Sequence, residues 1–150
     1  MGICAAGISS GGIAEIFETN SAVGTETIIL RSRRGIARMA LHHGVPIIPG
    51  YFFGNSKALN VWYDKQGLMQ WLSRKLRMSL VFFSGRFGLP IPYRTPLLAV
   101  FSAPFQVKQN LNPTDKDITD VMDRLEKEIK TLFDTHKAAF GWENVQLIVK

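Results

Sequence analysis

Apolar residues recur along this chain with two different periods. From Ile118 onward, Ile118, Val121, Met122, Leu125, Ile129, Leu132, Phe133 and His136 fall three or four apart, which is one face of an α-helix. Thr114 is placed to cap that helix, and Asp115, Asp117 and Asp120 complement its positive end. Asp120–Arg124, Asp123–Lys127 and Glu126–Lys130 are spaced as i,i+4 ion pairs in the better orientation, and Gly141 can close the helix. A different pattern, Val45 to Phe53, is continuously apolar and partly β-branched or aromatic, as in a strand buried on both faces. Pro46 and Pro49 each remove a ladder donor, so this strand is expected to be short, bulged or near an edge.

A second helix leads into that strand. Ser32 is its expected N-cap, and Ile36, Met39, Ala40 and His43 fall at helical spacing and are expected to face the core. Gly44 fits the left-handed position that ends a helix. Gly2–Ile8, Thr27–Leu30, Leu98–Ser102 and Val145–Val149 read as further strands, the last one at an edge. The alternation is that of an α/β layer, and 150 residues suit a single domain spanning 1–150. Ser84–Pro96, with Gly85, Gly88, Pro90, Pro92 and Pro96, reads as extended loop. Gln66–Phe83 is an amphipathic basic segment. Leu68, Leu72, Leu76, Leu80 and Phe83 form its stripe, and Gln70, Ser73, Arg74 and Arg77 lie away from it. It fits an ordinary surface helix packed on the core, or a helix lying on a membrane with Trp71, Phe82 and Phe83 dipping in.

Composition adds a charge asymmetry. The net charge is +6, yet residues 1–110 carry +8 and residues 111–150 carry −2. The basic part favours anionic partners such as nucleic acid, phosphate-bearing cofactors or an acidic lipid surface. No aromatic-basic motif supports the first of these, so no nucleic-acid partner is expected. Cys4 is the sole cysteine, so no internal disulfide can form. No run of 18 apolar residues occurs, and no signal-peptide pattern opens the chain. Met1 leads straight into the presumed strand Gly2–Ile8, which is the pattern of a fragment or a truncated form.

The candidate chemistry is concentrated in two places. Arg31, Arg33 and Arg34 crowd the start of the second helix, where the dipole is already positive and each cation costs roughly 0.3–1 kcal/mol. A bound anion reverses that sign, because free N–H groups and guanidinium forks together make a phosphate site. The plainer reading lets the long side chains splay into water. Upstream, Ser9-Ser10-Gly11-Gly12 is a strand-to-helix turn followed by Glu15, which either helps a helix dipole or orients a substrate. The turn matches neither the P-loop nor the dinucleotide pattern. His42 and His43 point about 100° apart on a helix and cannot chelate one metal, so no metal site is expected. His136 reads as a core or helix-end histidine, and no serine sits in a nucleophile elbow.

These pieces together resemble the diacylglycerol acyltransferase type 2 family, which includes monoacylglycerol and wax-ester acyltransferases. Gly11-Gly12-Ile13-Ala14-Glu15 is similar to its GGxxE block. Leu30–Phe53 is similar to its next block, and Arg33, Arg34, Gly35, Arg38, Ala40, Leu41, His43, Gly44, Pro46, Pro49, Phe53 and then Gly54 match in order. Arg86–Pro90, with Pro92, Arg94, Pro96 and Leu97, resembles its GRFGLPIPxRxPL stretch. Leu132-Phe133, His136-Lys137 and Phe140-Gly141 resemble its LFxxHKxxFG. The resemblance covers nearly the whole chain.

The resemblance implies a glycerolipid acyltransferase-like α/β domain, here incomplete at the N-terminus. It implies transfer of a fatty acyl group from acyl-CoA to a diacylglycerol or related hydroxyl in triacylglycerol synthesis, at the endoplasmic reticulum membrane or a lipid droplet. Acyl-CoA enters as co-substrate, with no resident cofactor, and membrane association follows. By the same resemblance Glu15 is the active-site carboxylate, and Gly11 and Gly12 form the close-approach loop. Arg33, Arg34 and Arg38 bind an anion, and His43 packs beside the site without acting as base. The sequence departs from the family in four places. It holds neither the family's His-Pro-His-Gly block nor the His-x4-Asp pair of related acyltransferases, and it lacks the membrane segments. Asn55 stands where Glu is frequent, and Ser102-Ala103-Pro104 replaces a GKP pattern. The chain alone is therefore expected to be inactive. The alternative is a non-catalytic, truncated family member that binds an anionic membrane surface.

Overall fold

The computed structural model describes residues 6–9, 24–57, 60–61 and 83–150. Within them the elements run in the order β1 (Thr25–Ile28), α1 (Gly35–His43), β2 (Gly50–Phe53), β3 (Asn60–Val61), β4 (Phe83–Ser84), β5 (Leu98–Phe101), α2 (Asp115–His136) and β6 (Gln146–Val149). Single 3₁₀ turns occupy Asn55–Lys57 and Arg86–Gly88.

The strands form three two-stranded sheets. β1 pairs parallel with β6, Thr25 opposite Gln146 through Ile28 opposite Val149. β2 pairs antiparallel with β5, and β3 with β4. Helix and open sheet together make an α/β architecture, as the sequence pattern requires. The main corrections concern edges. β1 begins at Thr25, two residues before the expected Thr27, and β5 ends at Phe101. Ala6–Ser9, within and just past the expected first strand, carry no strand, and Ile8 is exposed. The rest of that strand, the Gly11-Gly12 turn and Glu15 lie outside the described residues. So does all of the expected Gln66–Phe83 helix except Phe83, which belongs to β4.

The long apolar run after Gly44 gives a much shorter strand than its composition alone requires. Pro46 and Pro49 interrupt the ladder, so Ile47 makes only an isolated bridge to Phe105 and regular pairing starts at Gly50. The strand is also buried on one face, not two. Tyr51 and Phe53 point inward, whereas Phe52 is exposed and meets exposed Phe101 of β5 edge to face. The reason is that, among the described residues, α2 packs on β2 and β5 from the side that Tyr51 and Phe53 face.

α2 is the scaffold. Thr114 accepts from the Asp117 backbone N–H, and the Asp117 carboxylate accepts from the Thr114 N–H, a reciprocal capping box. Ile118, Met122, Leu125, Ile129, Leu132 and Phe133 are buried as the periodicity predicts. Among the three expected i,i+4 pairs only Glu126–Lys130 forms. Arg124 instead lies over the Phe105 ring, 4.5 Å from its centroid. The helix stops at His136, whose Nδ1 donates to the Leu132 carbonyl. Gly141 does not end it but shapes the following turn, where the Trp142 N–H returns to the Lys137 carbonyl.

Five aromatic rings join the two layers. Phe53 stacks on Phe133 at 5.4 Å, and Tyr51, Phe140 and Trp142 surround the pair. Gly54, at φ +85, brings the end of β2 against this cluster and against Pro96. A Cβ there would overlap the Pro96 carbonyl oxygen and come within 2.8 Å of the Phe140 ring. Gly54→Ala is therefore expected to destabilise the fold by at least about 2 kcal/mol, measured as a lowered urea midpoint with unchanged m.

Candidate functional site

The first turn of α1 has an unusual construction. The chain leaves β1 through Leu30 and Arg31, whose N–H groups both donate to the Lys150 carbonyl beyond β6. A turn follows, closed by the Arg33 N–H on the Leu30 carbonyl, so Ser32 sits in the turn and caps nothing. The helix opens at Arg34 in helical conformation, with no side-chain cap and no acidic residue in its first turn. Its positive end is thus left to groups from elsewhere in the chain.

α2 supplies two of them. The Arg34 Nη2 donates to the Asp115 carbonyl and carboxylate oxygens at 3.1 and 3.2 Å, and to the Thr119 hydroxyl at 3.4 Å. The Arg31 Nε donates to Glu126 Oε2 at 2.9 Å, and the Lys130 Nζ donates to Oε1 of the same carboxylate at 2.7 Å. Glu126 is the buried partner, with a side chain 10% exposed against 64% for Arg31. Burial pushes its carboxyl upward, but hydrogen bonds and charge from Lys130 and Arg31 outweigh that and hold it below its ordinary value of 4.5. Asp117 is also held below its ordinary 3.8, chiefly by the Thr114 N–H and hydroxyl.

The outer face of α1 carries the remaining candidates. Arg34, Arg38 and His42 follow each other at i, i+4 and i+8, beside Met39 and His43, and all are exposed. Of the four residues expected to face the core, Ala40 is buried and Ile36 half-buried, whereas Met39 and His43 are exposed and Ala37 and Leu41 take their place. A helix of nine residues with five apolar side chains offers two stripes. Here the side with two alanines, which permits close packing, faces α2. His43 meets His42 edge to face at 4.9 Å. At the other end Gly44 takes the left-handed conformation, and Gln109 and Asn110 donate to the His42 and Leu41 carbonyls.

Arg34, Arg38 and His43 are thus all exposed on α1, with Arg33 exposed in the turn before it, but His43 stands about 140° round the helix from Arg38. Gly11, Gly12 and Glu15 lie outside the described residues. A shallow depression of about 770 Å³ lies beside Arg31 and α2, lined also by Glu126, Lys127 and Lys130. Arg33, Arg34, Arg38 and His43 do not line it. Among the described residues no three His, Cys, Asp or Glu side chains come together as a metal site, and no helix is long and apolar enough to cross a membrane. The sequence pattern gave the Glu126–Lys130 pair but not Arg31 as its third member. Its signal was present: Glu126 lies four residues after Met122 and three before Ile129, so it sits on the buried stripe and needs a cationic partner. Ser102, noted as a departure, donates to Glu128 at 3.0 Å and so ties β5 to α2.

The described residues define an α/β protein whose helices flank short open sheets and whose first helix presents a cationic outer face. Comparison with known families identifies it further: the diacylglycerol acyltransferase family profile matches residues 4–150, and the chain belongs to that family. It is similar to the Bos taurus 2-acylglycerol O-acyltransferase 1, 32% identical over 85% of this chain and 41% of the relative. It is similar also to the Rattus norvegicus diacylglycerol O-acyltransferase 2, 30% identical over 92% and 38% of the two chains. The Homo sapiens acyl-CoA wax alcohol acyltransferase 2 is 30% identical over 91% and 43%. The chain spans about two fifths of the length of these relatives. No solved structure matches it.

Both depressed carboxyls stabilise the fold above their unfolded values, and that contribution is lost as pH falls through the lower folded values. Glu126→Gln is expected to cost about 1–2 kcal/mol at neutral pH, since the exposed Arg31 and Lys130 can return to water. The gap between the two proteins then narrows below pH 4.5, where wild type loses its advantage. Urea unfolding at a series of pH values measures it; a gap independent of pH would show that the carboxylate charge is not what stabilises.

Proposed function

We propose that this chain serves an acyl-CoA-dependent O-acyltransferase that moves a fatty acyl group to the hydroxyl of a diacylglycerol or related glyceride, in triacylglycerol synthesis. The single observation that carries the reading is the family match over residues 4–150. In that reading residues 1–150 form one acyltransferase-like α/β unit that works at the endoplasmic reticulum membrane or a lipid droplet, with acyl-CoA as co-substrate and no resident cofactor.

The chemistry sets what such a site needs. The acceptor oxygen attacks the thioester carbonyl, the C–S bond breaks, and the proton lost by the hydroxyl ends on the departing coenzyme A thiolate. A general base near the hydroxyl accelerates the attack. His42 and His43 have no carboxylate partner among the described residues, so neither is assigned as base. Glu15 is assigned as the active-site carboxylate, Gly11 and Gly12 as the close-approach loop, and His43 as a neighbour of the site. The sequence contains no His-Pro-His-Gly block, so the chain by itself is assigned no turnover.

Arg33, Arg34 and Arg38 are assigned to the anionic part of the donor. Arg34 already holds Asp115, but that carboxylate is 86% exposed, and an exposed pair is worth at most about 1 kcal/mol. A phosphate can replace it and gain both the guanidinium fork and the uncapped N–H groups of α1. Arg33→Ala with Arg34→Ala should weaken acyl-CoA binding by this chain about tenfold, the equivalent of 1.4 kcal/mol. Equilibrium binding of a labelled acyl-CoA reads it, and unchanged affinity would remove the arginines from the site. The second reading, a non-catalytic domain on an anionic membrane surface, is favoured by the exposed arginines Arg33, Arg34 and Arg38 at the start and on the outer face of α1. It expects vesicle binding without acyl-CoA binding.

A further inference from the structure

Residues 86–97 form a loop that turns its apolar side chains outward. Phe87 is 86% exposed, and Leu89, Ile91 and Leu97 are each close to half exposed or more. Single exposed apolar residues are ordinary, but four on one short loop call for a cause. The backbone adds a second observation. Phe87 stands at φ +60 and Gly88 at φ +73. A bulky residue seldom adopts the left-handed region, and strain of this kind gathers at functional positions. The fold gains almost nothing from the Phe87 ring, because that ring is not buried.

The loop is nonetheless held in shape. The Gly85 N–H donates to the Leu89 carbonyl at 2.7 Å, and the Arg86 N–H donates to the Ile91 carbonyl at 2.9 Å. Pro90, Pro92 and Pro96 fix three more backbone angles. A preformed projection loses little freedom when it docks. It leads directly into β5, whose outward Phe101 meets exposed Phe52 of β2 at 6.0 Å.

Charge decides the occupant. The Arg86 guanidinium lies 5.3 Å from the Phe87 ring centroid, and Arg94 is exposed further along the loop. No Asp or Glu occurs between Asp64 and Asp115, whereas Lys65, Arg74, Lys75, Arg77, Arg86, Arg94 and Lys108 do. Apolar tips with cations beside them and no carboxylate between match the boundary between lipid headgroups and acyl chains. A second copy of this chain would bring the same cations to the same place.

We propose that the 86–97 loop inserts Phe87, Leu89 and Ile91 into the headgroup–acyl boundary of an anionic phospholipid membrane, with Arg86 and Arg94 on lipid phosphates. This deepens the membrane-surface reading above by naming a described element, and it does not depend on acyl transfer. The test is flotation of the 150-residue chain with phosphatidylcholine vesicles, with and without phosphatidylserine. Phe87→Asn removes the ring while asparagine accepts the left-handed backbone, so the variant folds and its thermal midpoint is not lowered. It should reduce partition about tenfold on both vesicles. Arg86→Gln with Arg94→Gln should reduce it about fivefold per charge, and only where phosphatidylserine is present. Acyl-CoA affinity should stay at the wild-type value in Phe87→Asn. Equal flotation of wild type and Phe87→Asn overturns the loop assignment and leaves the membrane reading to other segments. Wild type that does not float on either vesicle overturns both. A dimer that Phe87→Asn abolishes, without vesicle binding, assigns the loop to a second copy and overturns the proposal.

Discussion

The contact between Phe53 and Phe133 is where the two layers of this protein meet. Both side chains are fully buried, and their rings lie nearly parallel at 5.4 Å. Burying each ring is worth about 2–3 kcal/mol, and the pairing adds about 1 kcal/mol more. Tyr51 and Trp142 close over the same two rings, so β2, α2 and the turn before β6 are fixed by one cluster. With β2 held there, its other face turns Phe52 away from the core. The apolar exterior of the sheet is therefore a direct consequence of how its interior packs.

The electrostatics are arranged around α2 in the same way. Its buried stripe includes one carboxylate, Glu126, and that charge is tolerated because two cations reach it. One of these cations belongs to the turn before α1. The chain therefore offsets the basic start of α1 with the acidic side of α2, and positions the outer arginines without a local cap. Arg34–Asp115 is the exposed member of this arrangement and the easier to exchange for another anion; Arg31–Glu126 is the structural one.

What the sequence made legible was local. Thr114 with Asp117 announces the start of α2, the three-four spacing gives its buried face, and Gly44 marks the end of α1. The final strand at 146–149 lies within the expected span. What it concealed was decided at long range. The phase of α1 was ambiguous because apolar residues lie on two of its sides, and only packing on α2 selects Ala37, Ala40 and Leu41. Arg31 and Glu126 are 95 positions apart, and no periodicity links them. The proline interruptions were visible, but continuous apolar composition concealed that β2 has only one covered face. The candidate site was legible as a set of arginines and a family motif, not as an arrangement in space.

The parallel ladder between β1 and β6 has a temporal consequence. It joins residues about 120 positions apart, and closing a loop of that length costs about 4 kcal/mol in chain entropy before any contact returns it. A ribosome must release nearly every residue up to Val149 before Ile28 can find its neighbour. The backbone of Leu30 and Arg31 docks on Lys150 just beyond that ladder. The arginine turn is thus synthesised about 120 residues ahead of the strand that fixes its geometry.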